Sequence, residues 1–412
     1  MTEPIRPPGK KDPVARTRLP TLPPSARSRE ALGLVAQAAE GHFRLQRCAA
    51  CERFQYPPRQ RCHHCLSDAL QWDDVPNTGQ LLAKTSLHHS NDNYFRERLP
   101  WSLGLVRLTC GISVVAHLTQ DCPPAASVTL SLKLDPSGRA TVVAMPVGAS
   151  NVDDDMELRE MTSHPKHRRA LVVNGRTPVG RAMIKALVEA QCRRVYVGDP
   201  EPWRFDEDFR TITDHEAVEV FPLDVTDSRS VHELAGRIGS KVEILINNNY
   251  FLRPGGIGGR KDVNFALSEM EVNYLGLLRL AREFSPVMRA RGADGTFGAA
   301  AWVNVLSIYA IVSHPGLSTF SAAQAAACSA AKSLRHELAD GGVKVINVFP
   351  GPIEDEWQQL LPPPKLTPDA VAKAVVDSLV AGTEDVYPGP VAQELIARWR
   401  ENPKEVEREL ML

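Results

Sequence analysis

The pattern of apolar and polar positions changes its rhythm along the chain. After the cysteine-rich stretch near residue 50, short alternating stretches such as WSLGLVRL and ISVVAHL follow one another. Strict alternation is typical of half-buried strands, so these stretches predict a small β-barrel. After about residue 168, continuous apolar runs such as ALVV, VYVG and ILIN alternate with helical patterns. This second rhythm predicts a doubly wound parallel sheet with helices on both faces, an α/β fold of the Rossmann type.

Five segments follow from these rhythms, which indicates a multidomain protein. Residues 1–30 hold seven prolines and little apolar periodicity, which predicts a disordered tail. The cysteine-rich stretch and the barrel predict one domain over residues 31–147. A polar, charged run over residues 148–167 is expected to be a linker. The Rossmann domain is expected to span residues 168–395. Residues 396–412 are expected to form a helical C-terminal tail.

The composition excludes several classes of partner. The chain has 412 residues, a hydrophobic share of 43% and a formal net charge of -1. This balance excludes a molecule-wide basic surface for nucleic acid or anionic lipid. No apolar run approaches the roughly 18–20 residues of a membrane span, and the first residues lack the apolar segment of a secretory signal. We therefore expect a cytoplasmic protein without a membrane or nucleic-acid partner.

Half of the eight cysteines lie in one short stretch. They form two Cys-x-x-Cys knuckles, made by Cys48, Cys51, Cys62 and Cys65. Paired knuckles of this spacing are typical of a tetrahedral zinc site. Four sulfur ligands leave no open position for water, so the zinc is expected to be structural rather than catalytic. The alternative is four reduced thiols without a metal.

Residues 31–147 resemble the acyl-CoA-associated zinc-ribbon and OB-fold family, whose members accompany thiolases and related acyl-CoA enzymes. The likeness rests on a leading helix, the two knuckles, the stretch YPPR between them and a barrel strand led by Gly79. Glu52 replaces the glycine that usually follows the first knuckle. The resemblance implies a thiolase-like acyl-CoA enzyme as the partner of this half, and acyl-CoA itself as a further ligand.

A glycine-rich turn between the first Rossmann strand and its helix is the expected position of a dinucleotide pyrophosphate. The turn NGRTPVG keeps Gly175 and Gly180, but Pro178 stands where a central glycine would allow the backbone to approach the phosphates. Asp199, at the end of the second strand, is placed to hold an adenosine ribose, which favours NAD. Arg176 argues in the opposite direction, toward NADP.

The order of the later segments resembles the short-chain dehydrogenase/reductase family across residues 168–395. The matching positions are Asp224, Asn247, Asn248, Asn273, Ser307, Pro350 and Gly351. By this resemblance, the expected cofactor contacts are Gly175, Gly180, Asp199, Asp224 and Asn247, and the expected catalytic positions are Asn273 and Ser307.

Two catalytic groups of that family are replaced in this chain. In the family, a serine orients the substrate carbonyl, a tyrosine thirteen residues later transfers the proton, and a lysine four residues further lowers the tyrosine pKa and holds the nicotinamide ribose. Ser307 is the serine, whereas Phe320 and Gln324 stand at the tyrosine and lysine positions. General acid–base transfer is typically worth roughly 10²–10⁴-fold, so these replacements predict little or no turnover. Asn273 and Ser307 are then expected to be structural hydrogen-bond partners.

Contacts on the cofactor side differ as well. Asn249 and Tyr250 replace the Ala-Gly pair that normally follows the two asparagines and leaves room for the cofactor. Glu354 and Asp355 lie near the position where a hydroxylated residue usually meets the nicotinamide amide. These differences argue against NAD(P) as a working cofactor and predict a catalytically silent dehydrogenase domain.

The leading hypothesis is an accessory subunit of a β-oxidation-like assembly of thiolase and dehydrogenase. The family resemblance implies that the Rossmann half forms a homodimer, or a heterodimer with an active short-chain dehydrogenase subunit, through the helices that carry Asn273 and Phe320. The alternative is an active NAD(P)-dependent 3-hydroxyacyl-CoA dehydrogenase or ketoreductase, against which the missing Tyr–Lys pair argues. An OB-fold that binds single-stranded nucleic acid is a third hypothesis, and the balanced charges of the barrel stretch argue against it.

Overall fold

The computed structural model describes residues 19–24, 28–119, 122–148, 155–293 and 298–410. Most of the predicted disordered tail (1–30) and the first part of the predicted linker (148–167) lie outside the described residues. For those parts of the chain, both assignments stay predictions.

The cysteine-rich stretch forms a small antiparallel sheet behind a leading helix. Its elements are α1 (Ala31–Ala39), β1 (Arg44–Cys48), β2 (Phe54–Gln55) and β3 (Leu70–Asp74). β1 lies in the middle, paired with β2 on one side and β3 on the other. A Cβ atom at Gly33 of α1 would come within 2.5 Å of the Trp72 ring. The helix and the sheet therefore pack closely at a position that only glycine fills.

Five strands close into a barrel, which confirms the prediction from the alternating pattern. The elements are β4 (Thr78–Leu87), α2 (Asn93–Arg96), β5 (Trp101–Leu108), β6 (Ser113–Leu118), β7 (Ser127–Leu134) and β8 (Ala140–Pro146). The strand order around the barrel is β4-β5-β6-β8-β7. In β7 every second side chain is buried, namely Val128, Leu130, Leu132 and Leu134. The barrel interior is thus a packed apolar core.

Seven strands form the parallel sheet of the C-terminal half. They are β9 (Arg169–Val172), β10 (Arg194–Asp199), β11 (Val218–Pro222), β12 (Ile244–Asn247), β13 (Ala301–Val305), β14 (Lys344–Val348) and β15 (Asp385–Val386). The order across the sheet is β11-β10-β9-β12-β13-β14-β15. This order confirms the predicted Rossmann-type sheet. It reverses between β9 and β12, where folds of this class bind ligands at the carboxyl ends of the strands.

Helices cover both faces of the sheet. α3 (Met156–Arg159) lies in the segment between the two halves, and its Leu158 packs against Trp101 and Val143 of the barrel. The helices of the C-terminal half are α4 (Pro178–Glu189), α5 (Glu207–Thr213), α6 (Ser228–Ile238), α7 (Asn264–Met270), α8 (Gly276–Ala290), α9 (Ser318–Leu338), α10 (Pro368–Ala381), α11 (Pro390–Glu401) and α12 (Pro403–Glu409). A π-helical turn, Glu271–Leu275, joins α7 to α8. Alternate residues of β9 belong to two separate apolar clusters, with Val172 in one and Leu171 in the other. In the part of the chain that the structure describes, no helix has the length and apolar character needed to cross a membrane.

Hydrogen bonds connect the two halves of the chain. Lys133 of β7 donates from Nζ to the backbone oxygen of Val380 at 2.8 Å, and the Ser163 hydroxyl donates to the backbone oxygen of Leu379 at 2.7 Å. Residues 161–165, inside the predicted linker, are all buried. Several of these side chains are polar, so their burial leaves no apolar signature in the sequence.

A described part of the predicted tail also contacts the folded halves. Pro23 is buried, and the backbone oxygen of Pro24 accepts a hydrogen bond from Nη1 of Arg139 at 3.0 Å. A Cβ atom at Gly342, just before β14, would come within 2.7 Å of Cδ2 of Leu22 and 3.1 Å of Cβ of Pro136. The segment 19–24, the barrel and the Rossmann half therefore meet at this point.

Candidate functional site

The four knuckle cysteines bring their sulfurs together. All four Sγ atoms lie within 4.8 Å of one another, with 3.5 Å between Cys48 and Cys65 and 3.6 Å between Cys51 and Cys62. Tetrahedral zinc with Zn–S bonds of roughly 2.3 Å needs sulfurs roughly 3.8 Å apart, so the cradle fits a zinc ion. Hydrogen bonds from the backbone N–H groups of Cys65 and His64 lower the pKa of Cys62 to about 6. Against a backbone hydrogen bond from Ser67, the neighbouring thiols and burial raise the pKa of Cys65 to about 12, so zinc has to displace that proton when it binds.

The two knuckles share one backbone geometry. The N–H of Glu52 donates to the Cys48 oxygen at 2.8 Å, and the N–H of Leu66 donates to the Cys62 oxygen at 3.0 Å. Glu52 has φ 59° and Leu66 has φ 63°, in the left-handed region that favours glycine. Glu52 thus adopts the conformation of the glycine that it replaces, and the knuckle keeps its shape.

The turn after β9 keeps the glycines that its packing requires. A Cβ atom at Gly180 would lie 2.0 Å from the backbone oxygen of Asn174, and one at Gly175 would lie 2.3 Å from Cγ1 of Val197. Asn248 binds the same turn, because its Oδ1 accepts from the Asn174 N–H at 2.9 Å and its Nδ2 donates to the Asn174 oxygen at 2.7 Å. Contacts within the chain therefore account for both glycines and for Asn248.

Asp199, the expected ribose ligand, is bound by a side chain of the same chain. Arg176 donates to its carboxylate from Nε at 2.8 Å and from Nη2 at 2.7 Å. The two side chains are only 12% and 6% exposed, and the hydrogen bonds to Asp199 raise the pKa of Arg176. In the sequence the two residues favour different cofactors, whereas in the structure they form one ion pair.

Two residues that sequence reasoning missed complete this cluster. The Arg176 guanidinium lies 4.4 Å from the ring centroid of Phe209, a cation–π arrangement. Asp206 accepts from Nη2 of Arg181 at 2.5 Å and caps α5 by accepting from the Phe209 N–H at 2.9 Å. An Asp at a helix N-cap was the available signal, but it indicates a helix start and does not reveal the neighbouring arginines.

The remaining expected cofactor contacts make local hydrogen bonds. Asp224 is exposed, and its Oδ1 accepts from the N–H of Thr226 at 2.8 Å. Asn247 is buried at the end of β12, and its Oδ1 accepts from the N–H of Asn249 at 3.4 Å. Asp224 follows β11 and Asn247 ends β12, both at the carboxyl edge of the sheet but with two strands between them. Each already has a hydrogen-bond partner within two residues.

Asn273 and Ser307 are buried and hydrogen-bonded to the backbone. Asn273, in the π-helical turn, accepts from the N–H of Phe251 at 2.9 Å and donates to the oxygen of the same residue at 2.8 Å. Ser307 accepts from the N–H of Tyr309 at 3.2 Å. These bonds satisfy buried polar groups, so both side chains have a structural use.

Ser307 and Phe320 line one small cavity at the carboxyl end of the sheet. Its volume is about 20 Å³, enough for roughly one water molecule. Phe320 is 3% exposed and packs in an apolar cluster with Leu361 and Ile396. This volume is smaller than a nicotinamide ring.

Tyr250 lines the same cavity. Its hydroxyl donates a hydrogen bond to Oδ2 of Asp355. Burial, followed by the nearby Asp355 carboxylate, raises the pKa of Tyr250 above its usual range, which keeps the phenol protonated at neutral pH. Asp355 is held in turn by the N–H groups of Trp357 and Gln358, both at 2.9 Å. Two departures from the family pattern thus form one contact.

The position of the missing lysine carries an uncharged amide. Gln324 is 1% exposed, and its Oε1 has no hydrogen-bond partner among the described residues. Tyr309, the phenol nearest to Ser307 in sequence, is buried, and burial raises its pKa to about 12. Neither residue supplies the low-pKa acid that proton transfer near neutral pH requires.

An open groove runs between the outer faces of α8 and α9. Its volume is about 650 Å³. Small side chains line it, among them Ala281, Ala326 and Ala330, and Leu278 beside them is 38% exposed. Small residues permit close approach of a second helix pair, and these are the helices that the resemblance assigns to dimerisation.

Comparison with known families divides the chain as the fold does. Residues 168–364 match the model of the short chain dehydrogenases. Residues 35–71 match the rubredoxin-like zinc ribbon domain of ChsH2, and residues 72–145 match the C-terminal OB-fold domain of ChsH2. Both resemblances read from the sequence are thereby confirmed.

Individual relatives cover one half of the chain or the other. A probable enoyl-CoA hydratase alpha subunit from Thermomonospora curvata is 34% identical over 93 residues, 22% of this chain and 28% of that protein. Dehydrogenase/reductase SDR family protein 7-like from Drosophila melanogaster is 26% identical over 226 residues, 52% of this chain and 66% of that protein. The chain thus spans less than two thirds of each of these relatives. The crystal structure of a short chain dehydrogenase from Burkholderia cenocepacia in complex with NADP is 32% identical, with a TM-score of 0.55, over 60% of this chain and 99% of that one.

Proposed function

Since residues 168–364 belong to the short-chain dehydrogenase family and residues 35–145 to the ChsH2 zinc-ribbon and OB-fold families, we propose that this protein is an accessory subunit of an acyl-CoA assembly. Its dehydrogenase site is silent or nearly so. Its Rossmann half pairs with a second copy or with an active dehydrogenase subunit, and its zinc-ribbon half, stabilised by one structural zinc, binds a thiolase-like acyl-CoA enzyme.

The observation that best supports an inactive dehydrogenase site is the small size, about 20 Å³, of the cavity beside Ser307. Phe320 at its wall has no ionisable group, and Tyr250 occupies space that a glycine would leave to the cofactor. Loss of general acid–base transfer alone is worth roughly 10²–10⁴-fold in rate. Because the cofactor space is filled as well, the two effects act on the same step and leave little turnover.

Asp199, the residue expected to bind the cofactor ribose, also supports a site that does not bind NAD. A cofactor that uses Asp199 has to separate it from Arg176, and both side chains are nearly buried. Breaking a buried ion pair costs roughly 3–5 kcal/mol. That cost is comparable with a factor of 10² or more in affinity, so the pair disfavours NAD in particular.

The groove between α8 and α9 supports association. Its small side chains and the partly exposed Leu278 form a surface on which a second helix pair packs. A stable dimer of this kind buries roughly 1,600 Å² of surface in total. The Rossmann domain lacks the catalytic Tyr and Lys but keeps the helix surface formed by α8 and α9. A role in subunit association best explains this combination.

The N-terminal half supports a place in acyl-CoA metabolism. Its zinc ribbon and OB-fold match the ChsH2 domains, and one relative of 34% identity is described as an enoyl-CoA hydratase alpha subunit. The four sulfurs form a closed site without a position for substrate, so the zinc holds the fold that the partner recognises.

An active NADP-dependent dehydrogenase is the second candidate. The observation in its favour is the 32% identity to a short chain dehydrogenase crystallised with NADP. The two candidates differ in one assay of the purified full-length chain, with NADPH and 3-oxoacyl-CoA or NADP⁺ and 3-hydroxyacyl-CoA. We expect no turnover above background. A robust rate that Ser307→Ala abolishes would establish the enzyme instead.

The partners are tested by affinity capture of the full-length chain from its own host, with mass spectrometry of co-purifying subunits. The variant Ala326→Arg places a bulky charge in the groove, and Ala397→Arg places the same side chain on an exposed position of α11 as its control. We expect Ala326→Arg to lose the dehydrogenase-type partner or the homodimer and to keep the acyl-CoA enzyme. Wild-type protein that is monomeric and captures no acyl-CoA enzyme would overturn the proposal.

A further inference from the structure

An apolar patch lies on the outside of the barrel, across β4, β5 and β6. Leu105 of β5 is paired with Val115 of β6 on one side and with Ala83 of β4 on the other, where a register irregularity before Ala83 accommodates Leu82. Leu82, Leu105 and Val115 are 43%, 39% and 56% exposed. Since paired strands lie only about 4.8 Å apart, these side chains form one continuous surface, which we call the barrel patch. Contiguous exposed apolar side chains, unlike scattered ones, mark interaction sites.

The chain covers the adjoining part of the same barrel face itself. Side chains alternate between the two faces of a strand, so Trp101, Leu103, Leu105 and Arg107 of β5 share the outer face. Trp101 and Leu103 pack in an apolar cluster with Leu158 of α3. Leu105 lies beyond this cover. The barrel patch is therefore the uncovered end of an apolar face.

The rest of the chain contacts the barrel on its other side. α1 packs against β7 and β8, and Lys133 of β7 donates to the backbone oxygen of Val380 in the Rossmann half. In the closed barrel, β5 lies opposite the neighbouring pair β7 and β8. The barrel patch is centred on β5, so it faces away from the Rossmann half and stays accessible in the folded chain.

The charges around the barrel patch favour an acidic partner surface. β4, β5 and β6 contain no Asp or Glu. Arg107, on the same face as Leu105, is exposed, and its side chain makes no hydrogen bond or ion pair with a described residue. Lys84 is the other cationic residue of these strands, and its Nζ donates to the backbone oxygen of Cys122 at 2.9 Å. A fitting partner therefore presents apolar side chains together with a carboxylate opposite Arg107.

The same features disfavour other occupants. A face that binds single-stranded nucleic acid carries exposed aromatic rings along a basic groove, whereas the barrel patch is aliphatic and Trp101 on its face is only 1% exposed. A surface for anionic lipid carries clustered Lys and Arg, and the barrel patch adjoins Arg107 alone. A second copy of the same face would bring no carboxylate to Arg107.

We propose that the barrel patch is the surface by which the N-terminal half binds the acyl-CoA enzyme. Leu105 and Val115 pack against apolar side chains of that enzyme, and Arg107 binds one of its carboxylates. Arginine is enriched among the residues that dominate binding energy at protein interfaces. The inference rests on the proposed function, which supplies the class of partner, and it adds the strands and side chains that make the contact.

The test begins with affinity capture of the full-length protein from its own host and identification of the acyl-CoA enzyme by mass spectrometry. That enzyme is then purified and titrated against each full-length variant. Leu105→Glu is expected to weaken binding at least about tenfold, because it places an unpaired charge in an apolar contact. Arg107→Ala is expected to weaken binding several-fold and to reduce its dependence on salt. Val220→Glu, at a 39% exposed strand position of the Rossmann half, is the control and is expected to bind as wild type.

A milder variant keeps the test valid if Leu105→Glu does not fold. Val115→Thr keeps the shape of the side chain and replaces one methyl group with a hydroxyl, so it is expected to weaken binding several-fold. Equal binding by the wild type, Arg107→Ala and Val115→Thr would overturn the docking surface and leave the proposed function intact. A wild-type protein that captures no acyl-CoA enzyme would overturn both.

Two further results would assign the barrel patch to a different occupant and so contradict the proposal. Self-association of the wild type, measured by light scattering, that Leu105→Glu loses and Val220→Glu keeps would indicate a second copy. Binding to phosphatidylglycerol vesicles that Leu105→Glu loses would indicate a lipid surface.

Discussion

The hydroxyl of Tyr250 donates a hydrogen bond to the carboxylate of Asp355, and so joins the segments that follow β12 and β14. Tyr250 lines the cavity beside Ser307 and Phe320. The bond fixes the phenol ring in the space where the family pattern has a glycine. In the proposed function, the missing acid and the ring of Tyr250 are therefore two separate obstacles to hydride transfer.

Restoring the catalytic pair alone is expected to leave the protein inactive. Phe320→Tyr with Gln324→Lys returns the acid and its activator, but Tyr250 still fills the cavity. Adding Tyr250→Gly is expected to raise the initial rate of NADPH oxidation with 3-oxoacyl-CoA at least about tenfold over the double variant, within the roughly 10²–10⁴-fold that acid–base transfer supplies. Tyr250→Phe in the same background is the control, because it keeps the ring. A double variant as active as the triple would show that Tyr250 is no obstacle.

The Arg176–Asp199 pair predicts a large stability effect. Arg176→Ala leaves the Asp199 carboxylate buried without its guanidinium, and the free energy of unfolding in urea is expected to fall by roughly 3 kcal/mol. Asp199→Asn in the same chain removes the orphaned charge and is expected to recover at least about 1 kcal/mol. Arg204→Ala, which removes a 67% exposed arginine, is expected to change stability by less than about 0.5 kcal/mol. Equal losses for Arg176→Ala and Arg204→Ala would contradict a buried pair.

His117 predicts a loss of stability in acid. Its Nδ1 accepts from Nε1 of Trp101 at 2.7 Å, and burial lowers its pKa to about 4. Because the unfolded value is roughly 6.5, the unfolded chain binds the proton first as the pH falls. The contribution of His117 is complete above pH 6.5 and is lost between pH 6.5 and 4, by up to roughly 3 kcal/mol. His117→Asn keeps an acceptor without a charge, so its unfolding free energy is expected to fall less over this range. An unchanged pH dependence would contradict a neutral buried imidazole.

The knuckles predict one zinc per chain. Protein purified without chelator is expected to contain one zinc by elemental analysis, and Cys65→Ser is expected to lose most of it, because a closed four-sulfur site depends on every ligand. Cys110→Ser removes a free cysteine outside the knuckles and is expected to keep the metal. Metal-free wild-type protein, or equal metal content in both variants, would argue for four reduced thiols.

The architecture could be predicted from the sequence because it rests on local patterns. The alternating stretches of the barrel place Val128, Leu130 and their neighbours inward, and the continuous runs of the sheet are buried on both faces. The knuckles likewise fix their own geometry, since Cys48 and Cys51 belong to one turn. Even the departure at Glu52 could be found in the sequence, although only the structure shows that it keeps φ 59°.

The contacts that close the site could not be predicted, because they join distant parts of the chain. Tyr250 and Asp355 are 105 residues apart. Each departs from the family pattern, but neither departure indicates in the sequence that the two side chains are in contact. Arg176 and Asp199 read as opposing cofactor signals until their side chains are seen paired. The contact of Leu22 and Pro136 with Gly342 depends on how separate parts of the chain pack together, and the apolar pattern of the sequence carries no signal for it.

Binding of NADPH to the full-length protein and to Tyr250→Gly, measured by isothermal titration calorimetry, tests the closed site most directly. The wild-type protein is expected to show no binding up to about 1 mM, whereas Tyr250→Gly, which opens the cavity without touching the turn after β9, is expected to bind with a Kd well below that concentration. Tyr250→Phe serves as the control that keeps the ring and is expected to behave as wild type. Wild-type protein that binds NADPH with a Kd below about 10 μM would contradict the closed site and support an active dehydrogenase.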